Sequence, residues 1–128
     1  MFIATNKDAT IPNPKGYLEC GAGVCVAAVE YAVGRPADLV IGKPSPTMYE
    51  EALKYYGVSS HEVLFVGDRI DTDILGAKRI GAKTCLVLSG VTPEDKYQEI
   101  FTKNNIKSDL VMQDLATLAN EIDLHFAK

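Results

Sequence analysis

The stretch VLFVGDRIDTDILGAKRIG, residues 63–81, decides the fold of this 128-residue chain. Its first five residues, 63–67, have the apolar pattern of a central parallel strand that is buried on both faces. Asp68, Asp71 and Asp73 follow within six positions, and a helix is predicted to begin among them. Carboxylates this close repel one another, so a helix N-terminus or a bound cation must offset their charge.

Strands and helices alternate on both sides of this stretch. Strands are predicted at 2–5, 38–42, 83–90 and 110–112, and helices at 21–33, 46–56, 92–104 and 114–128. The segment NKDATIPNPKG is predicted to form turns because it contains two prolines and a glycine. Alternation of this kind predicts an α/β fold with a Rossmann-like parallel sheet.

Composition excludes several classes of partner. The net charge of −4, without a basic patch, argues against nucleic acid or an anionic membrane surface. The apolar runs are too short to span a bilayer. Cys20, Cys25 and Cys85 form no C-x-x-C motif, which predicts reduced thiols in a cytoplasmic protein.

The aspartates are predicted to lie beyond the carboxyl end of a strand, where open α/β sheets bind ligands. A role in starting the helix remains an alternative for Asp71. For Asp68 and Asp73 a hard divalent cation is the better explanation, because Mg²⁺ takes oxygen ligands. An EF-hand loop starting at Asp71 is excluded, since Leu75 and Ala82 stand where it needs an oxygen ligand and a glutamate.

A second chemical feature is IGKPSP, residues 41–46, at the end of another predicted strand. Prolines restrict the chain after Lys43, so its ammonium group is expected to be a fixed positive charge on the same rim. Such a charge stabilises an anion or a phosphoryl group. The sequence GAGVCV, 21–26, is a weaker signal: a dinucleotide motif would need a third glycine at Val26, so a closely packed helix start is expected there.

Four motifs, taken together in order and spacing, resemble the haloacid dehalogenase-like (HAD) phosphatases, and most nearly the branch of p-nitrophenyl and phosphoglycolate phosphatases with a large α/β cap. They are FIATN-x-D (2–8), IGKPSP (41–46), VGDRIDTDI (66–74) and LVLSGV (86–91). The resemblance implies that Lys43 holds the phosphate oxygens and the phosphorylated aspartate. It implies that Asp68 is a Mg²⁺ ligand, and that Asp73 is a ligand through water or a partner of Lys43. Asp71 falls on a variable position and receives no role.

In that family an aspartate of a D-x-D motif attacks the phosphate ester, and water cleaves the resulting aspartyl-phosphate. The only D-x-D in this sequence is residues 71–73, which already belongs to the metal motif. The resemblance therefore implies the later part of such an enzyme, with residues 1–36 as the end of the cap and 37–128 as the C-terminal part of the core. Asn6 and Asp8 would lie near the substrate entrance.

We expect from this a Mg²⁺-dependent hydrolase of small phosphorylated metabolites whose nucleophile is missing from these residues. The chain alone should then be inactive, and a homodimer is one arrangement that the resemblance allows. The alternative is a non-catalytic module derived from the same fold, which binds phosphate or metal or mediates oligomerisation. A receiver-like phosphoacceptor domain does not fit, because the acidic cluster follows a late strand and the lysine precedes it.

Overall fold

The structure, a computed structural model, describes residues 1–126, and for residues 124–126 the backbone alone. Its elements are β1 (Ile3–Ala4), β2 (Thr10–Pro12), β3 (Leu18–Cys20), α1 (Ala22–Val33), β4 (Leu39–Val40), α2 (Thr47–Tyr56), β5 (Leu64–Gly67), α3 (Leu75–Arg79), β6 (Lys83–Val87), α4 (Tyr97–Asn104), β7 (Leu110–Met112) and α5 (Leu115–Phe126). A π-helical turn, Ile70–Ile74, joins β5 to α3. The predicted α/β class is confirmed; the last two residues of the predicted closing helix lie outside the described part.

The main sheet is parallel and has the strand order β5-β6-β7. The middle strand, β6, is buried on both faces because its side chains alternate between two hydrophobic clusters. Leu86 packs with Ile70 and Ile74 on one face. Cys85 packs with Leu118 of α5 on the other. Helices thus cover both faces of this strand, as in a Rossmann-like layer arrangement.

The prediction that residues 63–67 form the central strand is wrong for the chain as described. In residues 1–126, β5 pairs with β6 on one side only and lies at the end of its sheet. Val66 is consequently 40% exposed although it belongs to a fully apolar run. An apolar run shows that a strand is suited to burial, but its actual burial depends on which strands and helices lie beside it.

The first forty residues form two small sheets. Strands β1 and β4 pair in parallel, and β2 and β3 form an antiparallel hairpin that the sequence pattern missed. The hairpin turns at Gly16, whose φ of +85° is a conformation that glycine adopts readily. Because β4 pairs with β1, this sheet extends to Val40; the domain division at residues 36 and 37 remains a prediction.

Helix α1 follows the hairpin and ends at Gly34, as the sequence predicts. Its residues are mostly apolar, yet none of them is buried, and Tyr31 is 91% exposed. Within residues 1–126, no helix combines the length and the apolar character that crossing a bilayer requires.

Candidate metal and phosphate site

The structure brings Lys43 and Asp73 together. Lys43 stands in the loop between β4 and α2, and Asp73 lies in the π-helical turn after β5. The Nζ atom of Lys43 donates to Oδ1 of Asp73 over 2.5 Å. The lysine side chain is 48% exposed and that of the aspartate 13%. The ammonium group is therefore in contact with solvent, whereas the carboxylate that binds it is largely buried.

The second carboxylate oxygen of Asp73 is also occupied. Oδ2 accepts a hydrogen bond of 3.0 Å from the backbone N–H of Arg69. Gly67 leaves room for this side chain, since a Cβ there would lie 2.3 Å from the Cβ of Asp73. With both oxygens engaged by protein donors, Asp73 is arranged as the partner of Lys43, which is one of the two roles that the resemblance allows.

Asp68 is arranged differently. Its Oδ2 accepts from the backbone N–H of Val91 over 2.7 Å, and its carbonyl oxygen accepts from the Thr92 hydroxyl over 2.6 Å. These bonds fix the residue against the loop that follows β6. Among the described residues no donor reaches Oδ1 of Asp68. A hard cation such as Mg²⁺ fits that oxygen, because it takes one or two carboxylates and completes its shell with water and phosphate oxygens.

The fit is that of a partial metal site. No group of three histidine, cysteine, aspartate or glutamate side chains comes close enough to hold a metal ion in the part of the chain that the structure describes. Asp68 would be the direct ligand and Asp73 would support it through Lys43 or a water. The assignment of both residues to Mg²⁺ therefore remains a prediction.

The third aspartate, Asp71, is held by a neighbour. Its two oxygens accept from Nε and Nη2 of Arg69 over 3.2 and 3.0 Å. This hydrogen-bonded pairing raises the pKa of Arg69. No side chain caps the π-helical turn, so Asp71 does not act as a cap. Two of the three crowded carboxylates thus have a cation beside them, Lys43 for Asp73 and Arg69 for Asp71.

The loop after β1 brings Asn6 and Asp8 to the same region. Asn6 lies against Gly42, where a Cβ would come within 2.6 Å of the Asn6 Cβ, directly before Lys43. The Asn6 side-chain oxygen accepts from the backbone N–H of Asp8 over 3.2 Å. The negative charge of Asp8 also acts on Arg69 and helps to raise its pKa. Their predicted place at a substrate entrance remains untested.

Two further residues position the site, and sequence reasoning missed both. The hydroxyl of Tyr49 donates to the backbone oxygens of Thr72 and Asp73 over 3.3 and 3.1 Å. Burial and the charge of Asp73 raise the pKa of Tyr49 to about 12. Arg79, an exposed residue at the end of α3, donates to the carbonyl oxygen of Pro44 over 2.9 Å. No local pattern signals either bond.

Comparisons with known proteins identify relatives of this chain. The sequence profile of the HAD-hydrolase-like family matches residues 40–118. Phosphoglycolate phosphatase 1A of Arabidopsis thaliana is 39% identical over 125 residues, which cover 92% of this chain and 34% of that protein. The structure of p-nitrophenyl phosphatase from Archaeoglobus fulgidus superimposes with a TM-score of 0.83 at 37% identity, covering 93% of this chain and 45% of that one.

A third similar protein is glycerol phosphate phosphatase Rv1692 from Mycobacterium tuberculosis, solved in complex with magnesium. Its TM-score is 0.77 at 34% identity, and the match covers 92% of this chain and 34% of that one. The chain thus spans about a third to just under half of the length of the relatives it matches. The profile match extends over most of the chain and includes both Lys43 and the aspartate cluster. The chain belongs to the HAD-like hydrolase family, and its resemblance to the p-nitrophenyl and phosphoglycolate phosphatases is confirmed.

Proposed function

We propose that the chain supplies the metal-binding and lysine-bearing part of a Mg²⁺-dependent hydrolase of small phosphorylated metabolites. The observation that carries this proposal is the Lys43–Asp73 ion pair, which fixes a positive charge close to the aspartate cluster. The similar proteins are phosphatases of p-nitrophenyl phosphate, phosphoglycolate and glycerol phosphate, and this supports the substrate class.

Each residue has a definable task under this proposal. Asp68 holds the metal through Oδ1, while Val91 and Thr92 keep its backbone and its other oxygen in place. When bound, Mg²⁺ supplies positive charge that polarises a phosphoryl oxygen. Lys43 binds a phosphate oxygen electrostatically, and Asp73 sets the position of its ammonium group.

The attacking aspartate is not among these 128 residues under this proposal, since the only D-x-D is already part of the metal motif. The chain alone should therefore hydrolyse p-nitrophenyl phosphate no faster than a buffer control containing Mg²⁺. Robust turnover that Asp68→Ala abolishes would contradict the missing nucleophile. Calorimetric titration with Mg²⁺ tests the other half of the proposal: binding should be weak in the native chain and lost in Asp68→Asn.

A second candidate is a non-catalytic module that binds phosphate or metal, or that assembles with a second copy. The exposed apolar residues of α1 and the exposed Val66 of β5 favour it, because such surfaces are usually covered by protein. Light scattering coupled to size-exclusion chromatography tests the homodimer. A cytoplasmic location is also proposed, and it is supported by three cysteines that form no disulfide.

A further inference from the structure

The π-helical turn of residues 70–74 begins between two hydrogen-bond registers. The carbonyl oxygen of Arg69 accepts from the N–H of Asp73 over 3.0 Å, four positions on, as in an α-helix. The same oxygen accepts from the N–H of Ile74 over 3.1 Å, five positions on, as in a π-helix. Because the two bonds are nearly equal in length, the start of the turn gives the π register little advantage over the α register.

The π register continues for one further bond, at the end of the turn. The N–H of Leu75 donates to the carbonyl oxygen of Ile70, five positions back, and also to that of Thr72. The hydroxyl of Thr72 is buried in this conformation and has no hydrogen-bond partner among the described residues. A buried polar atom without a partner destabilises the conformation that buries it. The π register therefore needs a stabilising contact from outside the turn.

Tyr49 of α2 supplies such a contact. Its side chain is buried, and its hydroxyl donates to the carbonyl oxygens of Thr72 and Asp73, where the π-helical turn passes into α3. The ring can reach this point because Gly76 has no side chain: a Cβ there would lie 2.6 Å from the Tyr49 hydroxyl oxygen. An edge-to-face contact with Phe65, with 4.9 Å between the ring centroids, holds the ring in place.

The register of the turn determines where the carboxylate of Asp73 lies. Its Oδ2 accepts from the N–H of Arg69, and its Oδ1 accepts from Lys43. Its Cβ lies against Gly67, where an added Cβ would come within 2.3 Å. A change to the α register would tighten the turn and rotate the side chains that follow Arg69 about the helix axis. We expect this rotation to separate Asp73 from Lys43.

We propose that Tyr49 is a positioning residue whose hydroxyl holds residues 70–74 in the π register and thereby keeps Asp73 against Lys43. The tyrosine acts through the backbone of the turn and needs no contact with a substrate. This role goes beyond the proposed function, because it concerns the hydrogen-bond register of one turn and can be tested without metal or phosphate. Failure of either proposal therefore leaves the other intact.

Through-hydrogen-bond NMR couplings of the 128-residue chain, measured without metal, report the register. A coupling from the amide nitrogen of Leu75 to the carbonyl carbon of Ile70 marks the π register, and one to that of Asp71 marks the α register. Tyr49→Phe removes the hydroxyl and keeps the ring. We expect the ratio of π to α register to fall about fivefold to tenfold, the factor that loss of one hydrogen bond gives. Tyr55→Phe, at an exposed ring of the same helix, is the matched control and should leave the ratio unchanged.

The carboxylate carbon signal of Asp73 tests the consequence for the ion pair. At neutral pH, Tyr49→Phe should move this signal in the same direction as Lys43→Met, which removes the pair directly, while the amides of β6 keep their chemical shifts. An unchanged register in Tyr49→Phe would overturn the proposal, and so would a changed register with an unmoved Asp73 signal. If Tyr49→Phe does not fold, the native chain decides. A slowly exchanging Tyr49 hydroxyl proton together with the coupling from Leu75 to Ile70 supports the role, and absence of either overturns it.

Discussion

Lys43 and Asp73, 30 positions apart in the sequence, form an ion pair of 2.5 Å between Nζ and Oδ1. The pair joins the loop before α2 to the turn before α3. Because the carboxylate is largely buried and accepts a second bond from Arg69, its position does not depend on the half-exposed lysine alone. The carboxylate of Asp73 thus determines where the ammonium group of Lys43 lies.

The first prediction follows from this asymmetry. Asp73→Ala should destabilise the chain by about 2–3 kcal/mol, because a buried charged acceptor is lost and two donors are left behind. Lys43→Met should cost less, about 0.5–1 kcal/mol, because the lysine is half exposed. Urea unfolding of both single variants and the double variant measures the coupling. Equal costs for the two single changes would contradict the inferred order.

A second prediction concerns Gly90, which lies against Asp68, the proposed ligand of Mg²⁺. A Cβ at this position would lie 2.1 Å from Oδ2 of Asp68, so Gly90→Ala must displace the carboxylate. We expect the affinity for Mg²⁺ in calorimetry to fall about tenfold or more, since metal sites tolerate little misplacement of a ligand.

Glu51→Gln, on the exposed surface of α2, serves as the control that removes one negative charge away from the site. It should leave the affinity for Mg²⁺ within about twofold of the native value, the change that screened surface charges allow. Retention of full affinity in Gly90→Ala would argue that Asp68 is not the ligand.

A third prediction concerns the pH dependence of stability. It rests on Asp109, at the end of the sheet opposite the candidate site. Asp109 precedes β7 and accepts from Lys78 over 2.6 Å and from the Thr84 N–H over 2.8 Å. These bonds, that from Lys78 first, hold the pKa of Asp109 well below its ordinary value of 3.8. A lowered pKa in the folded state means that the ionised group stabilises the fold above the ordinary value, and that this stabilisation is lost as the pH falls below it.

Asp109→Asn should therefore be about 2 kcal/mol less stable than the native chain at pH 7. The difference should shrink as unfolding is measured at successively lower pH values below about 4, because the unfolded chain then binds a proton at this carboxylate while the folded chain keeps it ionised. A difference that stays constant from neutral to acid pH would show that the charge of Asp109 is not what stabilises the chain.

The fourth prediction tests how Tyr49 fits against α3. A Cβ on Gly76 would lie 2.5 Å from the Tyr49 ring, so Gly76→Ala should cost about 1–3 kcal/mol by overpacking. In a Tyr49→Leu background the same substitution should cost much less, since the ring is gone. Thermal unfolding of the four variants measures the difference, and equal costs in both backgrounds would contradict the contact.

Much of the fold could be predicted because its signals are local. The alternation of strand and helix patterns predicts the α/β class, and Gly34 and Gly57 mark the ends of two helices where the structure has them. The hairpin of β2 and β3 could not be predicted from local pattern, because the prolines and glycine around its turn outweigh three-residue strands. The position of β5 at the end of its sheet depends on neighbours and has no local signal.

The residues of the candidate site could likewise be predicted only in part. Lys43 and the aspartates carry recognisable motifs, so sequence reasoning placed them on one rim. Arg69 lies between Asp68 and Asp71 in the sequence, and a cation between acidic residues is a signal of such a pairing. No sequence signal marks Tyr49, because a hydrogen bond from a side chain to a distant carbonyl oxygen produces no pattern in the residue spacing.

Four bonds connect residues 43–49 with residues 72–79: one from Lys43 to Asp73, two from Tyr49 to the backbone of the same turn, and one from Arg79 back to Pro44. Both ends of the seven-residue segment 43–49 are thereby bonded to fixed points in residues 72–79. A single residue inserted between Lys43 and Tyr49 would shift one end by a residue and break at least one of the bonds. The length of this segment, more than the identity of its middle residues, is what natural variation should preserve.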